Sequence, residues 1–233
     1  SWTNKYYGIV DGLLFHETAH EWWGNSITAI DPAHMWIQEG FAVYSEALYI
    51  EHKLGYNVMI DFLLKKREGI KNNRPIVGPV NENYWAFGDS YNKGAWVLHT
   101  LRNAINNDNL WFSTLKKFAV DNAKSHVSTE TFLNYIIKAT GKNYQLVFYQ
   151  YFYDHRPPTF EYYQEGQMFY YRWSNVISGF AMPVDIDLNG VENRLEVSEK
   201  LSSINITEHS VIHIRDWESL IITKRNSDLK KLN

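Results

Sequence analysis

His16-Glu17-Thr18-Ala19-His20 places two imidazoles and a carboxylate within five consecutive residues. On a helix, side chains four apart share a face, so His16 and His20 can reach one cation while Glu17 projects beside them toward a bound water. That combination suits hydrolysis: a metal ion acidifies the water and the carboxylate takes its proton. Two histidines do not complete such a site, because catalytic zinc usually takes three protein ligands and keeps a fourth position for water. Cysteine is absent, which leaves His, Asp and Glu as the candidate ligands.

The segment Trp36-Ile37-Gln38-Glu39-Gly40 offers the third. Eighteen residues separate His20 from Glu39, enough for a loop and a return that lays a second helix against the first. A lone glutamate in the first turn of a helix is also favoured by the macrodipole. The apolar neighbours of Glu39 point instead to a buried carboxylate, which needs a cation or hydrogen bonds. Glu46 follows seven residues later on the same helical face, where it either orients a histidine or stands in solvent. His209 and His213 repeat the four-residue spacing, but in a strand that separation is about 13 Å, too far for one ion. His34, His52, His99, His126 and His155 stand alone and read as structural or exposed.

Periodicity suggests the elements that hold these residues. Residues 9–23 read as a helix ending near Gly24, and a loop over 25–34 is stopped by Asp31-Pro32. A second long helix covers 35–54 and closes at Gly55; a third covers 58–70. Residues 72–89 read as irregular. Helical periodicity resumes over 90–105, 110–120, 129–140 and 144–153, with Ser128 as an N-cap and Gly141 as a stop for the third of these. After Arg156-Pro157-Pro158 the period changes to two. Phe160 and Tyr162 lead to a Glu165-Gly166 turn, and Phe169, Tyr171 and Trp173 alternate with Met168, Tyr170 and Arg172. Met182, Val184, Ile186 and Leu188 alternate up to Asn189-Gly190, a hairpin signal. Strands around Leu195, Ile204, Ile212 and Ile221 complete a small all-β domain, and the Lys-rich tail after Thr223 is expected to fray. The expectation is an α+β multidomain chain, helical over 1–155 and a β-sandwich over 156–233.

Composition narrows the function classes. The net charge of −3 comes without a stripe of Lys and Arg, which argues against a nucleic-acid surface. No apolar run reaches the length of a membrane span. An aromatic share of 16% suits a packed globular protein. No leader is visible, and a periplasmic or cell-envelope setting is favoured over the cytoplasm.

Four segments occur in an order that carries a resemblance: His16-Glu17-Thr18-Ala19-His20, then Trp22-Trp23-Gly24-Asn25, then Trp36 to Ala42 around Glu39, then Tyr91-Asn92-Lys93-Gly94. Together they resemble the aminopeptidase N family of gluzincin zinc metallopeptidases. The resemblance implies a thermolysin-like helical catalytic half-domain to about residue 155, followed by a β-sandwich. It implies one zinc ion on His16, His20 and Glu39, with Glu17 as the base that activates water. It assigns Tyr91 as the hydroxyl that donates to the developing oxyanion, and peptides with a free N-terminus as substrates.

Members of that family also carry a Gly-x-Met-Glu-Asn segment upstream, whose glutamate holds the substrate's amino group, and before it an N-terminal β-domain. Fifteen residues precede His16. The expectation is therefore a fragment that keeps zinc but has weak or no activity, with the missing N-terminal part packing on 1–155. Two rivals stand beside the aminopeptidase. One is a thermolysin-type endopeptidase, in which the third ligand sits one residue further along. The other is a non-catalytic metal-binding scaffold, against which the presence of Glu17 and Tyr91 argues.

Overall fold

The computed structural model describes residues 11–232; Ile9 and Val10, with which the first predicted helix begins, lie outside them. The Asp11 carboxylate accepts the N–H groups of Leu13 and Leu14, an N-cap that opens α1, Gly12–Ala19. The helix ends before Gly24 because the chain tightens: the N–H groups of Glu21 and Trp22 reach back three residues, to the carbonyls of Thr18 and Ala19. A short strand, β1 (Ile27–Ala29), follows within the expected loop. Asp31 then caps a 3₁₀ turn over Pro32–His34 and α2 runs over Trp36–Leu54. Gly55, at φ +93°, joins it to α3, Tyr56–Arg67.

The described residues 68–87 form neither helix nor strand. Their start is tied down by the buried Asp89, whose carboxylate accepts the N–H groups of Lys71 and Asn72, both at 2.8 Å. Asp89 belongs to α4, Gly88–Ile105, which is followed by α5, Asp108–Asp121. Strand β2 (Ser125–Val127) pairs in parallel with β1. Ser128 and Gly141 bound α6, Thr129–Thr140, as their cap chemistry predicts.

The core of this unit is aromatic. Trp36 and Phe41 of α2, Phe118 of α5 and Phe132 of α6 are buried against one another, with ring centroids 5.1–6.2 Å apart. Helices α2 and α4 cross backbone to backbone: a Cβ added to Gly40 would lie 2.9 Å from Gly94 Cα, and one on Gly94 3.0 Å from Gly40 Cα. Further along the same pair, the Arg102 guanidinium of α4 donates to both oxygens of Glu51 on α2 and both oxygens of Asp108 on α5. The glycines fix how close the helices lie, and the fork fixes their register.

Contacts divide the chain into two compact units, one up to Lys142 and one from Asn143 on. The helical stretch expected over 144–153 becomes α7, Gln145–Phe148, and a π turn over Tyr149–Tyr153. It joins the strand-rich unit. The Tyr151 hydroxyl donates to the Leu220 carbonyl at 3.0 Å, and the buried Gln150 accepts from Ile177 N–H and donates to the Arg156 carbonyl, both at 2.7 Å. Polar groups that are buried take the partners the strands offer.

Seven strands follow: β3 (Thr159–Glu165), β4 (Met168–Ser174), β5 (Val184–Leu188), β6 (Val191–Leu195), β7 (Ser202–Asn205), β8 (Ile212–Ile214) and β9 (Ile222–Arg225). One sheet has the order β7-β4-β3-β9 and the other β6-β5-β8. Asn189 and Gly190 both take positive φ, 53° and 80°, as the turn between β5 and β6 requires. The tail is not frayed. β9 pairs in parallel with β3, and a 3₁₀ turn over Ser227–Leu232 buries Leu229 completely; an apolar anchor outweighs the lysines around it. The chain is an α+β protein.

A carboxyl cluster in this unit gives a pH dependence. Burial pushes the Glu218 carboxyl up from 4.5 to about 7; Arg215 opposes the shift, and Asp185 and Glu192 add to it. A folded value above the unfolded one means that stability is greatest below the unfolded value and is lost as pH rises through the folded one. Glu218→Gln stays neutral, so its melting temperature relative to the unsubstituted protein is expected to climb between about pH 5 and pH 8. Thermal melts followed by circular dichroism read this, and a difference that stays flat with pH contradicts it.

Candidate metal centre

Helix α1 and the His20 that caps its C-terminal end present His16 and His20 side by side, with ring centroids 4.8 Å apart and planes at 88°. Helix α2 returns against it, and Glu39 in its first turn faces both rings. Glu39 Oε2 lies 3.4 Å from His16 Nε2 and 3.4 Å from His20 Nε2. The three ligand atoms lie within 4.8 Å of one another, and this is the only such group among the described residues. For ligand bonds of about 2.0–2.2 Å at tetrahedral angles, adjacent ligand atoms stand about 3.4 Å apart.

The donor set also fits a cation electronically. Glu39 Oε2 is buried and has no hydrogen-bond partner among the described residues, a state that leaves a carboxylate wanting positive charge. Each histidine offers its other nitrogen to a group that can only accept. His16 Nδ1 lies 2.8 Å from Glu46 Oε1, and His20 Nδ1 lies 2.8 Å from the Trp23 carbonyl oxygen. The carbonyl, and the carboxylate in its ionised form, require Nδ1–H, which leaves both Nε2 lone pairs facing Glu39. With no ion between them, burial opposes a charge on His16, but the carboxylates of Glu39 and Glu46 outweigh burial and push it up to about 9. The pocket holds positive charge in one form or another.

Tyr91 sits in the first turn of α4, its ring stacked on His16 at 5.9 Å and 18° and tilted against Trp85 at 6.4 Å. Burial first, then the carboxylates of Glu39 and Glu17, push its phenol up to about 12. The hydroxyl therefore keeps its proton through neutral pH and remains a donor. Glu17 lies next to His16 in the chain and is exposed to solvent. Glu39 and Tyr91 stand on the two helices that touch at Gly40 and Gly94, so that crossing sets the spacing between them.

The structure thus brings together His16, His20, Glu39, Glu46 and Tyr91. Two contacts escaped the sequence reading. The Trp23 carbonyl is a backbone group, carried alike by every residue. Lys66 of α3 places Nζ 3.9 Å from the second oxygen of Glu46, a contact between residues twenty apart in the chain that no motif spacing marks. Three of the other histidines lie elsewhere in the fold. His34 Nδ1 lies 2.9 Å from the Thr129 hydroxyl and His99 Nε2 3.1 Å from the Asn103 amide, while His213 lies in β8, opposite Asp187.

Known proteins resemble this chain in sequence and fold. The profile of the Peptidase family M1 domain matches residues 3–151. Endoplasmic reticulum aminopeptidase 2 of Homo sapiens is 32% identical over 129 residues, covering 50% of this chain and 13% of that protein. Aminopeptidase M1-A of Oryza sativa subsp. japonica is 32% identical over 128 residues, covering 48% of this chain and 14% of its own. The chain therefore spans about one seventh of the curated relatives it matches. In fold, the crystal structure of Legionella pneumophila aminopeptidase A in complex with aspartic acid superposes with a TM-score of 0.74 at 18% identity, over 92% of this chain and 27% of that one. Since the profile match covers more than half of the sequence and includes both histidines, Glu39 and Tyr91, the chain belongs to peptidase family M1.

Proposed function

We propose that the chain carries the zinc site of an aminopeptidase, a hydrolase that removes residues from peptides with a free N-terminus. On this reading the helical unit is the helical half of a thermolysin-like catalytic domain, and the two sheets form a small β-sandwich. The observation that carries the reading is the buried Glu39 oxygen, without a hydrogen-bond partner among the described residues, standing 3.4 Å from the Nε2 atoms of both His16 and His20. Membership of peptidase family M1 and relatives named as aminopeptidases support it.

His16, His20 and Glu39 would hold a zinc ion, which would supply Lewis acidity toward a peptide carbonyl and toward the water nucleophile. Glu17, exposed and unencumbered by packing, takes that water's proton as it attacks and passes it to the departing amine. Tyr91 donates its hydroxyl hydrogen to the carbonyl oxygen as charge develops there. Glu46 and the Trp23 carbonyl hold the imidazoles in the tautomer that ligation needs.

Metal analysis after zinc reconstitution is expected to give one zinc per chain; turnover by this chain alone is expected to be weak, and what there is to favour aminoacyl-fluorophore substrates over peptides blocked at the N-terminus. Failure to retain zinc overturns the site, and preferential cleavage of blocked peptides overturns the exopeptidase assignment. The helix crossing gives a second expectation. Gly94→Ala must move α4 and α2 apart by a few tenths of an ångström, and the displacement of Tyr91 is expected to lower turnover by less than the roughly 100-fold that a misplacement of about 1 Å costs, while His16, His20 and Glu39 keep their metal. Steady-state kinetics beside zinc titration separates the two; loss of zinc binding in this variant contradicts it.

A further inference from the structure

His16 and His20 are oriented by unlike partners, a side-chain carboxylate for the first and a backbone carbonyl for the second. We propose that the Trp23–Gly24 turn is a positioning element of the zinc centre and that Gly24 is required at it, an inference that rests on the zinc reading above.

Gly24 has φ +144°, in the region L side chains rarely adopt, and a Cβ there would lie 3.3 Å from the His20 carbonyl oxygen and 3.5 Å from His20 Nδ1. The peptide groups on both sides of it are held. Its N–H donates to the Ile27 carbonyl at 2.8 Å, and its carbonyl accepts from the Thr28 hydroxyl at 2.7 Å. Both partners belong to β1, which β2 pairs. The Trp23 side chain ties the same turn to α2: its ring stacks on Phe41 at 4.3 Å and 26°, and its Nε1–H donates to the Ser45 hydroxyl at 3.1 Å. One connected frame therefore runs from Glu39 along α2, through Trp23, to the carbonyl that receives His20 Nδ1–H. That frame sets where His20 Nε2 points relative to Glu39.

A carbonyl oxygen cannot donate, so this contact fixes the ligating tautomer in a way that no change of protonation at the partner can undo. A side chain at position 24 strains the backbone at φ +144° and presses on the His20 carbonyl at 3.3 Å, so the turn and its 23–24 peptide must readjust. That movement carries the Trp23 carbonyl away from His20 Nδ1 and frees the imidazole to turn from the ion, while the helix, the histidine and the fold remain.

The test is Gly24→Ala in the full chain, with zinc affinity measured by competition against a chromophoric chelator and the visible spectrum of the cobalt-substituted protein recorded alongside. Loss of an outer contact to a ligating histidine is expected to weaken zinc by about 10–100-fold and to alter the cobalt bands. Gly55→Ala is the control. Gly55 also has positive φ, +93°, but a Cβ there meets nothing within 4 Å, so that variant is expected to lose thermal stability and keep its zinc affinity. If Gly24→Ala does not fold, Thr28→Val removes only the hydroxyl that holds the Gly24 carbonyl and is expected to weaken zinc a few-fold. Zinc affinity unchanged in Gly24→Ala, or in Thr28→Val where it stands in, overturns the inference and leaves the zinc site intact. An equal loss in Gly55→Ala also overturns it, since the effect is then one of general stability. Absence of zinc in the unsubstituted protein overturns the site itself and this inference with it.

Discussion

Replacing Glu39 with Gln is expected to cost the protein its zinc. The carboxylate oxygen that faces His16 Nε2 and His20 Nε2 at 3.4 Å is buried and has no hydrogen-bond partner among the described residues. An ionised carboxylate in that state is stable when a cation supplies the missing charge. Gln keeps the shape and removes the charge, and its amide can turn a pair of N–H donors toward the two imidazole lone pairs, occupying them. The expected loss of zinc affinity exceeds the roughly 100-fold that disturbing an outer contact brings. Two measurements read it independently of turnover: chelator competition, and the rise in melting temperature on adding zinc, which follows from binding to the folded state and vanishes when binding does. A variant that takes zinc as tightly as the unsubstituted protein removes Glu39 from the ligand set.

How much of this centre was legible in sequence depends on how local each part is. The His16–His20 pair is one helical turn, so spacing alone gives its geometry. Glu39 and Glu46 share a helix and a face, which the seven-residue separation encodes; apolar neighbours mark Glu39 as buried, while for Glu46 the sequence does not separate a histidine-orienting carboxylate from a solvated one. Tyr91 carries no such mark; in a chain with sixteen tyrosines it was singled out through family resemblance. What brings it to His16 is the contact of Gly40 with Gly94, between residues far apart in the chain, and a glycine in a helix reads equally well as a weak spot. Element ends failed where backbone bonding departs from the α-helical pattern. α1 stops at Ala19 because the next N–H groups reach back three residues, and the 149–153 stretch widens into a π turn. The parallel pairings of β1 with β2 and of β3 with β9 were not legible at all, since each joins strands distant in sequence.

Glu17→Gln and Tyr91→Phe are expected to separate binding from chemistry at this centre. Neither residue belongs to the three-ligand set, so both variants are expected to bind zinc as the unsubstituted protein does. Gln at position 17 cannot take a proton, and loss of a positioned general base is expected to lower turnover about 100- to 10,000-fold. Phe at position 91 keeps the ring that stacks on His16 at 5.9 Å and removes only the hydroxyl. Its expected cost is about 100- to 1,000-fold in kcat with KM little changed, because the donor acts on charge that exists only as the reaction proceeds. Steady-state rates on an aminoacyl-fluorophore substrate, with zinc content measured on the same samples, decide the matter. A Tyr91→Phe variant that raises KM and leaves kcat alone assigns Tyr91 to substrate binding. A Glu17→Gln variant with full turnover moves the base elsewhere.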